Sequence, residues 1–163
     1  MILGVVSDTH NRLSNIEKII DIFNSNKVDF VIHTGDITKA ETLRKFSNLN
    51  CSLMGVYGNN DLLELGLNKT SEECGFDFRE PPFITSICKK KIAIFHEPET
   101  IAETIENDPS IDLVLHGHTH RYTNQEINGV KIFNPGECAG MIAGRNAVGI
   151  IDLDTLKAKR IFF

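Results

Sequence analysis

At 163 residues the chain has the length of one ordinary domain, spanning residues 1–163, and can bury a core without disulfides or a structural metal. A hydrophobic fraction of 41% and a charged fraction of 24% read as soluble and globular; a net charge of −5 with a pI near 5.7 argues against strong nucleic-acid binding, which calls for a basic surface. The four cysteines, Cys51, Cys74, Cys88 and Cys138, form no C-x-x-C pair and read as reduced thiols, and no run approaches the roughly 18 apolar residues of a membrane helix, so the expected location is the cytoplasm without membrane contact.

Ile2 to Val6 is apolar throughout and has no basic region before it, so it reads as a buried strand and not a signal peptide. It ends in Ser7-Asp8-Thr9-His10. A capping box, Ser14 to Glu17, then opens a helix with Ile16, Ile19, Ile20 and Phe23 on one face. Phe30-Val31-Ile32 is a second buried run, ending in His33-Thr34-Gly35-Asp36, and Leu43, Phe46 and Leu49 mark a second helical face. A third strand, Ser52 to Tyr57, ends in Gly58-Asn59-Asn60-Asp61. This βαβαβ rhythm predicts right-handed parallel crossovers, which set the three polar strand ends side by side at the edge where open α/β sheets bind ligands.

From Leu62 to Gly75 the pattern suggests a short irregular helix weakened by Gly66 and Gly75. Phe83 to Cys88 and Ile92 to Phe95 then look like a hairpin around a solvated Lys89-Lys90-Lys91 turn, and the second strand ends in His96. Thr100 to Asn107 predicts a helix closed by Asp108-Pro109. Ile111 to Leu115 is an apolar strand that delivers His116-Gly117-His118-Thr119-His120. Asn128-Gly129 is a type I′ hairpin signal, Asn134-Pro135-Gly136 a tight turn, and Ala147 to Leu153 with Ala158 to Phe163 a final hairpin. The first half reads as parallel and the second as mostly antiparallel, so two packed sheets with outer helices are expected.

The polar ends collect Asp8, His10, Asp36, Asn59, His96, His118 and His120. Singly, each has an ordinary reading: a D-x-H or Gly-Asp turn, or a satisfied core histidine at His96. Together, carboxylate, amide and imidazole donors suit Mn²⁺, Fe, Ni²⁺, Co²⁺ or Zn²⁺, and seven ligands exceed what one ion takes unless a carboxylate bridges two. A metal pair about 3.5 to 4 Å apart holds a bridging hydroxide and clamps the oxygens of a phosphorus centre.

Asp8-Thr9-His10, Gly35-Asp36, Gly58-Asn59-Asn60-Asp61, His96 and Gly117-His118-Thr119-His120 resemble, in order and spacing, the motifs of the calcineurin-like metallophosphoesterases, and in particular their small single-domain bacterial and archaeal phosphodiesterases. Asn134-Pro135-Gly136 extends the match. The resemblance implies a four-layer α/β/β/α sandwich of two mixed β-sheets flanked by helices. It also implies that Asp8, His10 and His120 hold one metal, that Asn59, His96 and His118 hold the other, and that Asp36 bridges them. Two divalent ions are implied, Mn²⁺ or Ni²⁺ first, with a small phosphodiester as substrate; a homodimer is compatible with the pattern. His33 and His116 match no ligand block and are expected in supporting or packing roles, and Asp61 is expected in a supporting place beside the ligands.

Two departures from the family pattern bear on mechanism. Many relatives have histidine after the ligand asparagine, where this chain has Asn60, and an amide cannot act as a general acid near neutral pH. Asn60 is therefore expected to stabilise charge on the phosphoryl oxygens, and activated, aryl-type diesters are expected to be cleaved best. Glu97-Pro98 replaces the common Gly-His after His96, which alters the substrate rim. The alternatives are a phosphomonoesterase and a non-catalytic scaffold like the small subunit of the retromer coat, although all seven ligand positions are filled. The H-x-H-x-D-H pattern of metallo-β-lactamases fails at Arg121-Tyr122, and the first-strand H-x-H of amidohydrolases fails at Asp8-Thr9-His10.

Overall fold

Alternation along the strands sorts the apolar residues into three cores, and the three cores define the layers. In the computed structural model, which describes residues 1–163, β1 (Ile2–Val6), β2 (Phe30–His33), β3 (Ser52–Val56) and β4 (Asp77–Arg79) run parallel. β10 (Ala147–Asp152) and β11 (Lys157–Phe162) add antiparallel strands beside β1, giving the order β11-β10-β1-β2-β3-β4. The second sheet has the order β5-β6-β7-β9-β8, from Phe83–Ile87, Lys90–Ile94, Leu113–Leu115, Val130–Asn134 and Thr123–Ile127 respectively. Leu3, Val5, Ile32, Ile94, Leu115 and Phe133 meet in the core between the sheets. Their strand neighbours face outward: Val6 and Val31 lie under α1 (Leu13–Ser25), α2 (Ala40–Lys45) and α3 (Leu67–Cys74), and Ala93 and Val114 lie under α4 (Ile101–Asn107). The expected four-layer α/β/β/α sandwich is therefore present, and each fully buried Leu, Ile or Phe stabilises it by about 1.5 to 3 kcal/mol. No helix is long and apolar enough to cross a membrane.

Several local expectations are corrected. The second half is mostly antiparallel, as expected, except that β6 to β7 and β7 to β9 pair in parallel, because α4 and β8 carry the chain back between them, and the final hairpin joins the first sheet. β4 was not anticipated. The Ser14 capping box does not form; Arg12 occupies the N-cap without a side-chain hydrogen bond, since Arg12 N–H already bonds the Thr9 carbonyl and starts the turn earlier. The hairpin turn is Cys88-Lys89, both at positive φ, so Lys90 and Lys91 lie in β6. They are not merely solvated: Lys90 pairs with Asp112 at 3.0 Å and Lys91 with Asp108 at 2.5 Å. Gly66 and Gly75, both left-handed, bound α3 instead of weakening it.

Candidate metal centre

Six strands, β1, β2, β3, β6, β7 and β9, release their loops at one edge of the sandwich. Backbone bonds stitch those loops together: Asp8 N–H to the Gly35 carbonyl at 3.1 Å, His10 N–H to Asp36 at 2.9 Å, Gly117 N–H to His96 at 3.0 Å and Cys138 N–H to Asp8 at 3.2 Å. Asp8, His10, Asp36, His118 and His120 all adopt left-handed backbone, with φ between 44° and 61°. Such a conformation costs a non-glycine residue about 1 to 3 kcal/mol, and its repetition at five of the seven expected ligands is what turns their side chains into one cavity. Two glycines allow the loops to close. A Cβ on Gly58 would collide with Asp36 Oδ1, and one on Gly117 with Ser7 Oγ.

All seven residues come together. His120 Nε2 lies 3.3 Å from Asp8 Oδ1, and Asp36 Oδ2 lies 3.8 Å from His10 Nε2 and 3.4 Å from His96 Nε2. Asn59 Oδ1 sits between His96 Nε2 at 3.0 Å and His118 Nδ1 at 3.1 Å. Two ligand groups, Asp8-His10-His120 and Asp8-Asp36-His96, have their donor atoms within 4.8 Å of one another. These groups share Asp8, whereas Asp36 was expected to be the bridge; the Asp36 Oδ2 contacts to both His10 and His96 leave it facing both groups as well.

The donor set fits a cation. His10 Nε2 is buried without a hydrogen-bond partner, and buried Asp8 Oδ1 has only the 3.3 Å approach of His120 Nε2, a costly arrangement unless something positive and coordinating lies between them. Burial lowers the His96 pKa, but hydrogen bonding to Asp36 raises it overall, and hydrogen bonding to Asp8 raises that of His120; a divalent ion would take the place of protons on these nitrogens. Burial pushes the Asp36 carboxyl up, but hydrogen bonds from His96 and Asn60 hold it well below the usual carboxylate range. His96 Nδ1 donates to the Thr34 carbonyl at 2.8 Å, so in the neutral ring Nε2 carries the free lone pair on the side facing Asn59 and Asp36.

The supporting residues act through the loops. Asp61, 4% exposed, accepts four backbone N–H groups: Asp36 at 2.9 Å, Ile37 at 2.9 Å, Thr38 at 2.6 Å and Gly58 at 2.7 Å. His33 Nδ1 accepts from Gly35 N–H at 3.1 Å, so Nε2 donates to Thr9 Oγ1 at 3.0 Å, joining the first two loops. Burial drives its pKa down to about 3. His116 is buried behind the cluster, with Nδ1 3.2 Å from the Gly117 carbonyl. Asn60 donates through its backbone to Asp36 Oδ1 at 3.0 Å and through Nδ2 to Oδ2 at 2.8 Å. Sequence reasoning missed three participants. Ser7 Oγ donates to Asp8 Oδ2, Thr9 receives His33, and Asn134 Nδ2 donates to the Gly117 carbonyl at 2.9 Å while Oδ1 accepts Gly136 N–H at 2.8 Å. The available signal was position: each stands at the polar end of an apolar strand, as the recognised ligands do.

Comparison with known proteins supplies the context. Residues 1–156 match the profile of the calcineurin-like phosphoesterase superfamily domain. A curated phosphodiesterase of Methanocaldococcus jannaschii is 34% identical over 163 residues, covering 99% of this chain and 98% of its own. A solved archaeal phosphodiesterase superposes with a TM-score of 0.92 at 32% identity, covering 100% of both chains. Wild-type Vps29 of Entamoeba histolytica, solved with Zn²⁺, superposes at 0.70 with 18% identity over 99% of each chain, a likeness of fold alone.

Proposed function

The chain belongs to the calcineurin-like phosphoesterase superfamily, and on that premise we propose that it is a metal-dependent phosphodiesterase with a dinuclear centre, acting as one domain over residues 1–163. Asp8, His10 and His120 would hold one divalent ion, Asn59, His96 and His118 the other, with Asp36 between them. Mn²⁺ or Ni²⁺ suits this mixture of imidazole and oxygen donors. When bound, such ions polarise the phosphoryl oxygens and generate a nucleophile from water at neutral pH. The observation that carries the reading is the under-satisfied pair of buried atoms, Asp8 Oδ1 and His10 Nε2, within a five-residue cluster of metal-type donors that Asn59 and His118 adjoin.

The chain's own residues do the rest. Four backbone amides on Asp61 and the Ser7 hydroxyl on Asp8 hold the two central carboxylates against rearrangement. Asn60 Nδ2, 2.8 Å from Asp36 Oδ2, is a donor at the cavity's edge, placed to stabilise charge on a non-bridging phosphoryl oxygen but unable to protonate the leaving group. Diesters whose leaving groups need no proton, such as aryl esters, are therefore the preferred substrates. The 34%-identical relative described as a phosphodiesterase supports the diester class.

The test is hydrolysis of bis(4-nitrophenyl) phosphate by metal-stripped protein with Mn²⁺ or Ni²⁺ restored, beside 4-nitrophenyl phosphate. Turnover should return with metal, favour the diester and vanish in Asp36→Ala and His120→Ala. Activity that survives either substitution, or does not respond to metal, sinks the mechanism; preference for the monoester overturns the substrate class.

A further inference from the structure

The outer face of the second sheet is covered by α4 alone, a helix of seven residues. That is too little to shield five strands, and a cavity of about 370 Å³ is left between α4 and the β8-β9 hairpin. Its walls are apolar: Ile101 and Ile105 from the helix, Ile132 from β9 and Ile127 from β8. Strand register places Gln125 opposite Ile132 and Ile127 opposite Val130, so alternate β8 residues share the covered face.

The direction of the elements ties this cavity to the donor set. α4 leads away from His96 and β8 leads away from His120. The near end of the cavity is therefore lined by Pro98, His116 and Thr119, within the loops that carry His96, His118 and His120, while Ile105 and Ile127 mark the far end. Polar groups are spaced along it. The hydrogen-bond contacts of His116 run through Nδ1, at 3.2 Å to Gly117 and 3.4 Å to Asn134, which leaves Nε2 for the cavity. Gln125 brings an amide with both donor and acceptor.

We infer that this groove holds the nucleoside portion of a phosphodiester whose phosphorus lies at the histidine cluster, an inference that rests on the phosphodiesterase reading. Isoleucine walls accept the faces of a flat ring, and Gln125 and His116 match ring heteroatoms and sugar hydroxyls. An alkyl chain would bury the same polar groups unpaired, which costs binding energy. The volume lies near the lower end of the roughly 300 to 1,000 Å³ of small-molecule sites, enough for one nucleoside. Glu106, an exposed carboxylate in the lining, disfavours a second phosphate there, and the substrate class inferred is the mononucleoside diester.

The experiment compares kcat/KM for the 4-nitrophenyl ester of thymidine 5′-phosphate with that for methyl 4-nitrophenyl phosphate, which share a leaving group. The wild type should favour the thymidine ester by at least about tenfold. Ala102→Trp, at an exposed helix position lining the groove, should collapse that ratio toward one, and Gln125→Ala, at an exposed strand position, should reduce it several-fold. Saturation-transfer NMR with thymidine and metal-stripped protein reads the groove without turnover; contacts should appear in the wild type and be lost in Ala102→Trp. An unaltered ratio in both variants, or thymidine contacts that persist in Ala102→Trp, overturns the groove. If neither ester is turned over with metal present, the phosphodiesterase reading fails and the thymidine contacts alone decide the groove.

Discussion

The carboxylate of Asp61 grips the backbone of Asp36, accepting its N–H at 2.9 Å while also accepting those of Ile37, Thr38 and Gly58. Asp36 can therefore hold its left-handed backbone, φ 59°, only while Asp61 presents two acceptor oxygens. In Asp61→Asn one oxygen becomes a donor facing two donors. Leaving two buried amides unpaired costs about 2 to 4 kcal/mol, equivalent to a drop in Tm of about 5 to 15 °C. Calorimetric unfolding checks this, and an unchanged Tm would show that the loop holds itself.

Metal binding should register as stability as well as activity. At about 100 times its Kd, a divalent ion adds about 2.7 kcal/mol to the folded state. Metal-stripped protein titrated with Mn²⁺ should rise in Tm, and Asp8→Ala should lose most of that rise, because it removes the carboxylate common to both donor groups. A wild type that stays flat through the titration contradicts the proposed centre.

Asn60→His should restore a proton donor beside Asp36. For an alkyl leaving group the expected gain in kcat is up to about 10² to 10⁴, with little change for 4-nitrophenyl esters, whose departure needs no proton. The informative quantity is the ratio of the two rates. Equal changes for both classes would mean that position 60 acts only through the placement of Asp36, to which its side chain donates at 2.8 Å.

Acid should weaken the fold through His33. Its folded pKa is depressed to about 3 by burial, against an ordinary value of 6.5. Between those values the unfolded chain binds a proton that the folded chain refuses, so stability rises with pH across the window and is lost as pH falls through it. From pH 7 to pH 5 this one group removes about 2 kcal/mol. His33→Gln should lose that share of the slope in urea unfolding measured at the two pH values; an identical slope would assign the effect elsewhere.

How much of this was legible beforehand varies with the physics involved. Helical spacing of Ile16, Ile19, Ile20 and Phe23 reports burial directly, and all four are buried. Polar residues after apolar runs marked the cavity because a strand buried on both faces has only its end to offer a ligand. Periodicity cannot name a strand's partner, so the pairing of Ile2 with Asp152 and the parallel neighbours of β7 were not foreseen. Nor can spacing reveal that Asp61 serves backbone amides from another loop, or that the Asp8 carboxylate is common to two donor groups. Those are facts of three-dimensional placement. The capping box failed for a local reason: the Arg12 N–H had already found the Thr9 carbonyl.

The pairing of β1 with β10 also governs when the cavity can exist. Asp8 follows a strand flanked by β2 on one side and by residues 147–152 on the other. During synthesis, one edge of β1 stays unmatched until β10 has been made. Asp8, His10 and Asp36 are translated well before the β10-β11 hairpin, yet the register that anchors β1 on that side arrives only with it. Contacts so distant along the chain make folding slow. A nascent chain halted before residue 147 would carry all seven donors and lack the strand that holds the first of them in place.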